Sequence, residues 1–146
     1  MCNGRIPEER PAMELRWQDN CFVCGKENPE GLRLEFRFDE AAGTIETVWT
    51  PRPVHIGYEG IVHGGLVATL LDEALGKLTT LLGTPAVTAE LTVRYLRPVP
   101  VGRPLRVTGR VANGRGRLLT GEAEALLEDG TPAARATAKL LRTRAG

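Results

Sequence analysis

Apolar and polar residues recur along this chain with two different periods, and the change of period marks its architecture. Across residues 31–39, Leu32, Leu34, Phe36 and Phe38 alternate with Arg33, Glu35, Arg37 and Asp39. A period of two is that of a half-buried strand. Gly43 interrupts it, and residues 44–50 predict a returning strand with Ile45, Thr47 and Trp49 inward, so the pair reads as a hairpin. A long strand follows at 86–97, with Val87, Ala89, Leu91, Val93 and Tyr95 on one face and Thr88, Glu90, Thr92 and Arg94 on the other. Residues 98–102, PVPVG, turn the chain, and strands are expected at 105–111, 118–127 and 133–141. Asn113-Gly114 and Asp129-Gly130 would join these last three as an antiparallel meander, because both residue pairs tolerate positive φ.

Between the two groups of strands the period becomes 3.6. Residues 60–82, GIVHGGLVATLLDEALGKLTTLL, place Leu66, Val67, Leu70, Leu71, Ala74, Leu75, Leu78, Leu81 and Leu82 on one wide apolar arc. Gly83-Thr84-Pro85 stops the helix. The remaining stripe runs Gly65, Ala68, Thr69, Asp72, Gly76, Thr79. A helix apolar around most of its girth must be covered by a sheet that curls around it, which predicts a two-layer α+β domain of one central helix and about six antiparallel strands. Whatever the sheet leaves bare needs a second copy, and the small-residue stripe is the natural seam of a homodimer or a dimer of dimers.

The helix start and Asp72 carry the candidate chemistry. Gly64 and Gly65 follow His63. Glycine lets a ligand approach the backbone, and the first amides of a helix have no internal partner and carry the positive end of its dipole. A carbonyl placed there would be polarised as an oxyanion forms. The plainer alternative is a tight turn at Gly64-Gly65 and a solvated Asp72. Glu73 competes for the carboxylate role, but Lys77 four residues on suggests a surface ion pair. Asp72 lies seven residues beyond Gly65, ~10 Å along the axis. One reacting carbonyl sits within roughly 3 Å of both its donors and its base, so a catalytic pair would come from two subunits.

Composition narrows the chemistry further. The chain has 146 residues, 42% hydrophobic, and 19 basic against 18 acidic side chains. This suits a single domain and gives no charge excess for nucleic acid. Residues 1–20 are polar and proline-punctuated, read as an N-terminal arm or cap with at most a short helix at 11–19, ahead of one domain at 21–146. No stretch has the length of a membrane span or the apolar core of a signal peptide, so a cytoplasmic protein is expected. There is no serine, which removes serine-nucleophile hydrolysis. Cys2, Cys21 and Cys24 make a poor disulfide framework. Cys21 and Cys24 form half of a tetrahedral zinc site, but the other half would have to be His55 and His63, at a spacing no common zinc module uses. Buried thiols without metal or cofactor are therefore expected. His55, in the proline-rich loop 51–60, is either a ligand contact or a partly exposed loop residue.

The stretch GIVHGGLVATLLDEALGKL closely resembles the hotdog-fold acyl-CoA thioesterases of the phenylacetate-pathway type, in which HGG opens the central helix and an acidic residue follows nine positions after the histidine. The leader CFVCGKENPEGLRLEF and the segment TAELTVRYLRPVPVG are similar to that family's N-terminal and post-helix strands, so the resemblance spans residues 21–142. It implies hydrolysis of a small, aromatic or medium-chain acyl-CoA, with Asp72 as base or nucleophile and Gly65 or Gly64 as oxyanion donor. It also implies that His63 shapes the turn and that Thr88 places a water. One departure is Gly57, where some relatives have a substrate-orienting asparagine; Tyr58, His55 or Asn28 would have to replace it. Arg94, Arg97, Arg115 and Arg117 are candidates to hold coenzyme A phosphates. The alternative from another class is a non-catalytic acyl-CoA-binding sensor, against which the carboxylate in the helix counts.

Overall fold

The structure is a computed structural model and describes residues 19–143. The expected arm at 1–20 and the short helix at 11–19 therefore lie almost wholly outside the described residues. Among those described, β1 (Arg37–Asp39) and β2 (Thr44–Trp49) precede a 3-10 turn at Pro53–His55 and two short strands, β3 (Ile56–Tyr58) and β4 (Ile61–Val62). The helix α1 (Gly64–Leu81) follows, then β5 (Ala86–Tyr95), β6 (Leu105–Asn113), β7 (Leu118–Leu126) and β8 (Pro132–Arg142). Six strands form one antiparallel sheet in the order β1-β2-β6-β7-β8-β5, and α1 packs across β2, β5, β6, β7 and β8. This is the hotdog fold, an α+β arrangement of a helix held in the hollow of an antiparallel sheet.

The core is the apolar arc of the helix. Val67, Leu70, Leu71, Ala74, Leu75 and Leu78 are buried against Ile45, Leu105, Val107, Leu119 and Leu140. Small residues on the inner face of the sheet set the depth of the helix. A Cβ at Gly121 would lie 3.0 Å from both Leu75 Cδ atoms, and Ala123, Ala136 and Ala138 continue this low floor. Such close packing leaves little room for larger side chains. The outer face is charged, with cross-strand pairs Arg135–Glu124 at 3.0 Å and Arg110–Glu122 at 3.6 Å.

Several expectations change in detail. Leu81 and Leu82 are exposed at the end of the helix, whereas Thr79, placed on the small-residue stripe, is fully buried. Its hydroxyl donates to the Gly76 carbonyl and accepts from the Ala86 amide, tying the end of α1 to the start of β5. The strand expected at 31–39 shrinks to β1, because Leu32 and Leu34 donate their amides to Phe22 and Val23 of the leader. Asn113 belongs to β6, and the turn is the four residues 114–117, with Gly116 at φ 60° and the Gly114 amide bonded to the Leu118 carbonyl. The loop 51–60 contains β3, which pairs with β4 in a two-stranded ribbon extended by a bridge from Ile61 to Pro100.

Candidate active site

The start of α1 is held from three sides. The His63 amide donates to the His55 carbonyl at 2.9 Å, and the His63 Nδ1 accepts the Gly65 amide at 3.0 Å. Through that bond the His63 side chain caps the first turn of the helix. Tyr95 on β5 donates its hydroxyl to the Gly64 carbonyl at 2.7 Å. The Gly65 amide is thus engaged by His63. Among the described residues the Gly64 amide has no hydrogen-bond partner. Gly57 packs under the same turn, where a Cβ would come within 3.1 Å of the His63 Cα.

Asp72 is half-buried on the side of α1 facing β5, and Thr88 donates its hydroxyl to Asp72 Oδ1 at 2.6 Å. The pairing depends on a break in the strand. Thr88 pairs with Leu140, which is buried, while Glu90 pairs with Lys139, which is exposed, so Ala89 is an extra residue that flips the faces. Beyond the bulge Leu91 and Val93 point inward as expected; before it the faces are exchanged, Val87 turning outward and Thr88 toward the helix. Strict alternation put Thr88 on the face of Glu90. A bulge re-aims one side chain at the cost of one ladder position.

Glu73 is not the surface ion pair that its spacing to Lys77 suggested. Its Oε1 accepts from the Cys24 thiol at 2.9 Å and the Cys21 thiol at 3.4 Å, and the leader covers it. Burial, then the neighbouring Glu73 carboxylate, push the Cys24 thiol well above its ordinary pKa. His55 and His63 take no part in this cluster, whose third group is Glu73. His55 is itself buried, with its ring centroid 5.0 Å from that of Trp49 and its Nδ1 accepting the Arg52 amide at 2.9 Å. Burial and, secondarily, the Arg52 charge lower its pKa. It is not the partly exposed loop residue the sequence allowed. Asn28 is spent within the leader, on the Asn20 carbonyl and the Glu30 amide, while Tyr58 stays 82% exposed.

Arg94, Arg97, Arg115 and Arg117 are all exposed, the first two on or beside β5 and the others in the loop between β6 and β7. A concavity lined by Glu90, Arg110, Thr120, Glu122, Thr137 and Lys139 lies on the outer face of the sheet, across from α1, and contains neither Asp72 nor the helix start. Asp72 and the helix start lie instead beside β5, the last strand of the sheet. Tyr95 is the residue at this site that pattern reading missed. The only hint was a hydroxylated aromatic among the inward positions of the strand after the helix.

Residues 59–134 match the family model described as Thioesterase superfamily. The chain belongs to that superfamily. It is 36% identical over 105 residues to acyl-coenzyme A thioesterase THEM4 of Bos taurus, an alignment covering 70% of this chain and 42% of the relative. The chain spans about two fifths of the length of the curated relatives it matches. Among solved structures, a thioesterase superfamily protein superposes with a TM-score of 0.79 at 28% identity, over 94% of this chain and 72% of the other. A phenylacetic acid degradation-related protein from Ralstonia eutropha JMP134 follows with a TM-score of 0.67 at 27% identity, covering 75% and 85% of the two chains. The superfamily match includes the His63 turn, Asp72, Thr88 and Tyr95. It leaves out the leader that carries Cys21 and Cys24. Among the described residues no helix is long and apolar enough to cross a membrane.

Proposed function

We propose that this chain hydrolyses the thioester of an acyl-CoA, with Asp72 as the base or nucleophile and the start of α1 as the oxyanion site. The observation that carries this reading is the Thr88–Asp72 hydrogen bond at the rim of the helix. A hydroxyl that donates to a carboxylate keeps its own lone pairs for a water hydrogen, so Thr88 and Asp72 together define where a water can sit. In the general-base route Asp72 takes a proton from that water as its oxygen attacks the carbonyl carbon. The oxyanion is met by backbone amide, and collapse expels the thiol with a proton returned to sulfur. In the nucleophilic route a carboxylate oxygen attacks the carbonyl carbon, the C–S bond breaks and CoA leaves as the thiol after protonation, and water then opens the resulting anhydride. Both give a carboxylic acid and free CoA thiol.

Of the two glycine amides, Gly64 suits the oxyanion role, because Gly65 already donates to His63. Gly64 and Asp72 are eight residues apart on one rigid helix, ~12 Å, too far to serve the same carbonyl. The reading therefore requires a second copy that brings its own Gly64 to the first copy's Asp72. The edge strand β5 offers the docking line: it is ten residues long, unpaired on one side among the described residues, and exposes Val87 and Tyr95. Long open edges of this kind invite pairing with another chain. A homodimer, or a dimer of such dimers, with two equivalent sites follows. The acyl group, small, aromatic or of medium length, would lie between the subunits beside the helix. Release of free thiol from an acyl-CoA panel by wild type and Asp72→Asn tests the assignment.

A further inference from the structure

The leader folds onto the middle of α1 through a group of side chains that the proposed reaction does not use. Cys21 and Cys24 sit in a tight turn closed by the Gly25 amide bonding to the Cys21 carbonyl at 2.9 Å. Only glycine fits the closing position, since a Cβ on Gly25 would lie 2.3 Å from the Cys21 backbone nitrogen. The turn presents both sulfurs to one side, where Glu73 projects from the helix. The two Sγ atoms and a Glu73 oxygen all lie within 4.8 Å of one another, with Cys24 and Gly25 buried and Cys21 and Glu73 half-buried.

We propose that Cys21, Cys24 and Glu73 bind a single zinc ion that fastens the leader to the central helix. Zinc takes thiolate at about 2.3 Å and carboxylate at about 2.0–2.2 Å, so a tetrahedral ion separates such ligand atoms by roughly 3.6–3.8 Å. The Glu73 oxygen stands 3.4 Å from the Cys21 sulfur and 2.9 Å from the Cys24 sulfur, and all three donors lie within 4.8 Å of one another; the short Cys24 contact opens as the ion replaces the shared proton. Binding releases the two thiol protons to solvent while Glu73 coordinates as the carboxylate. Lys77, whose Nζ is 3.6 Å from the Cys24 sulfur, places a positive charge beside the thiolates. Two sulfurs among three protein donors favour zinc over magnesium or calcium, which prefer oxygen.

The sequence expectation of metal-free thiols rested on looking for two histidines. The third donor is instead a glutamate 49 residues after Cys24, which local spacing cannot announce.

The test is the metal content and thiol reactivity of the full chain, purified with and without added Zn²⁺, beside Cys21→Ser/Cys24→Ser and Glu73→Gln. The expected result is about one zinc per wild-type chain, two thiols withdrawn from a thiol-specific reagent, and a thiolate-to-metal charge-transfer band when Co²⁺ replaces Zn²⁺. Glu73→Gln should bind at least ~10-fold more weakly. Wild-type protein with no more zinc than the double serine variant, thiols equally reactive with and without Zn²⁺, and no cobalt band would overturn the proposal. These wild-type readouts need no variant to fold and no catalytic activity.

Discussion

The Thr88 hydroxyl reaches Asp72 Oδ1, at 2.6 Å, because Ala89 bulges out of the pairing between β5 and β8. Without that bulge Thr88 would face outward with Glu90. The hydroxyl both orients the carboxylate and offers an acceptor to water. Thr88→Val should therefore lower kcat by roughly 10–100-fold with little change in KM, and Thr88→Ser should recover most of it. Steady-state kinetics on the two variants check this, and equal losses in both would assign the threonine to packing alone.

Gly64 is the first helical residue, and His63 before it has φ −57° and ψ 126°. Those are angles a residue preceding proline adopts readily, and proline is well tolerated at the first helical position. Gly64→Pro therefore deletes one amide hydrogen with little cost to the fold. The predicted loss is ~10²–10³-fold in kcat. Gly64→Ala keeps the amide, and its Cβ would meet the Tyr95 ring at an ordinary 3.4 Å, so its activity should stay near wild type. Circular dichroism on both variants separates folding from catalysis.

If each site combines Gly64 of one chain with Asp72 of another, two inactive variants contain one good site between them. Refolding Gly64→Pro with Asp72→Asn should restore about a quarter of wild-type activity, the statistical yield of a two-fold dimer. Absence of any rescue would place both groups of a site in one chain.

His55 provides a pH test separate from catalysis. Its pKa is lowered from 6.5 by burial against Trp49 and by Arg52, so the unfolded chain takes up the proton first as pH falls. The stability that the neutral ring contributes is present above about pH 6.5 and is lost as pH drops through the lower folded value. Urea midpoints measured from pH 7 downward should fall through that window. His55→Phe, which keeps a ring on Trp49 but cannot titrate, should flatten this part of the profile.

The helix and the main strands were legible because burial imposes a clean period on them: Ile45, Thr47 and Trp49 all turn inward as read, and Val67 to Leu78 form the core. Asp72 stood out by interrupting that period. What escaped depends on contacts between segments distant in sequence. Thr88 was read onto the wrong face because alternation cannot register a bulge. Glu73 was read as a surface ion pair because its partners, Cys21 and Cys24, come from a leader 49 to 52 residues away. Between Gly64 and Gly65 the sequence offered no choice; the choice follows from where the His63 ring turns.

The central claim is that Asp72 performs the chemistry, and free-thiol release measured on short, aromatic and long acyl-CoAs tests it most directly. Wild type should release thiol from at least one class. Asp72→Asn should bind the same acyl-CoA comparably while turning over at least ~10²–10⁴-fold more slowly. Tight acyl-CoA binding by wild type without thiol release, or an Asp72→Asn variant as fast as wild type, would contradict the account.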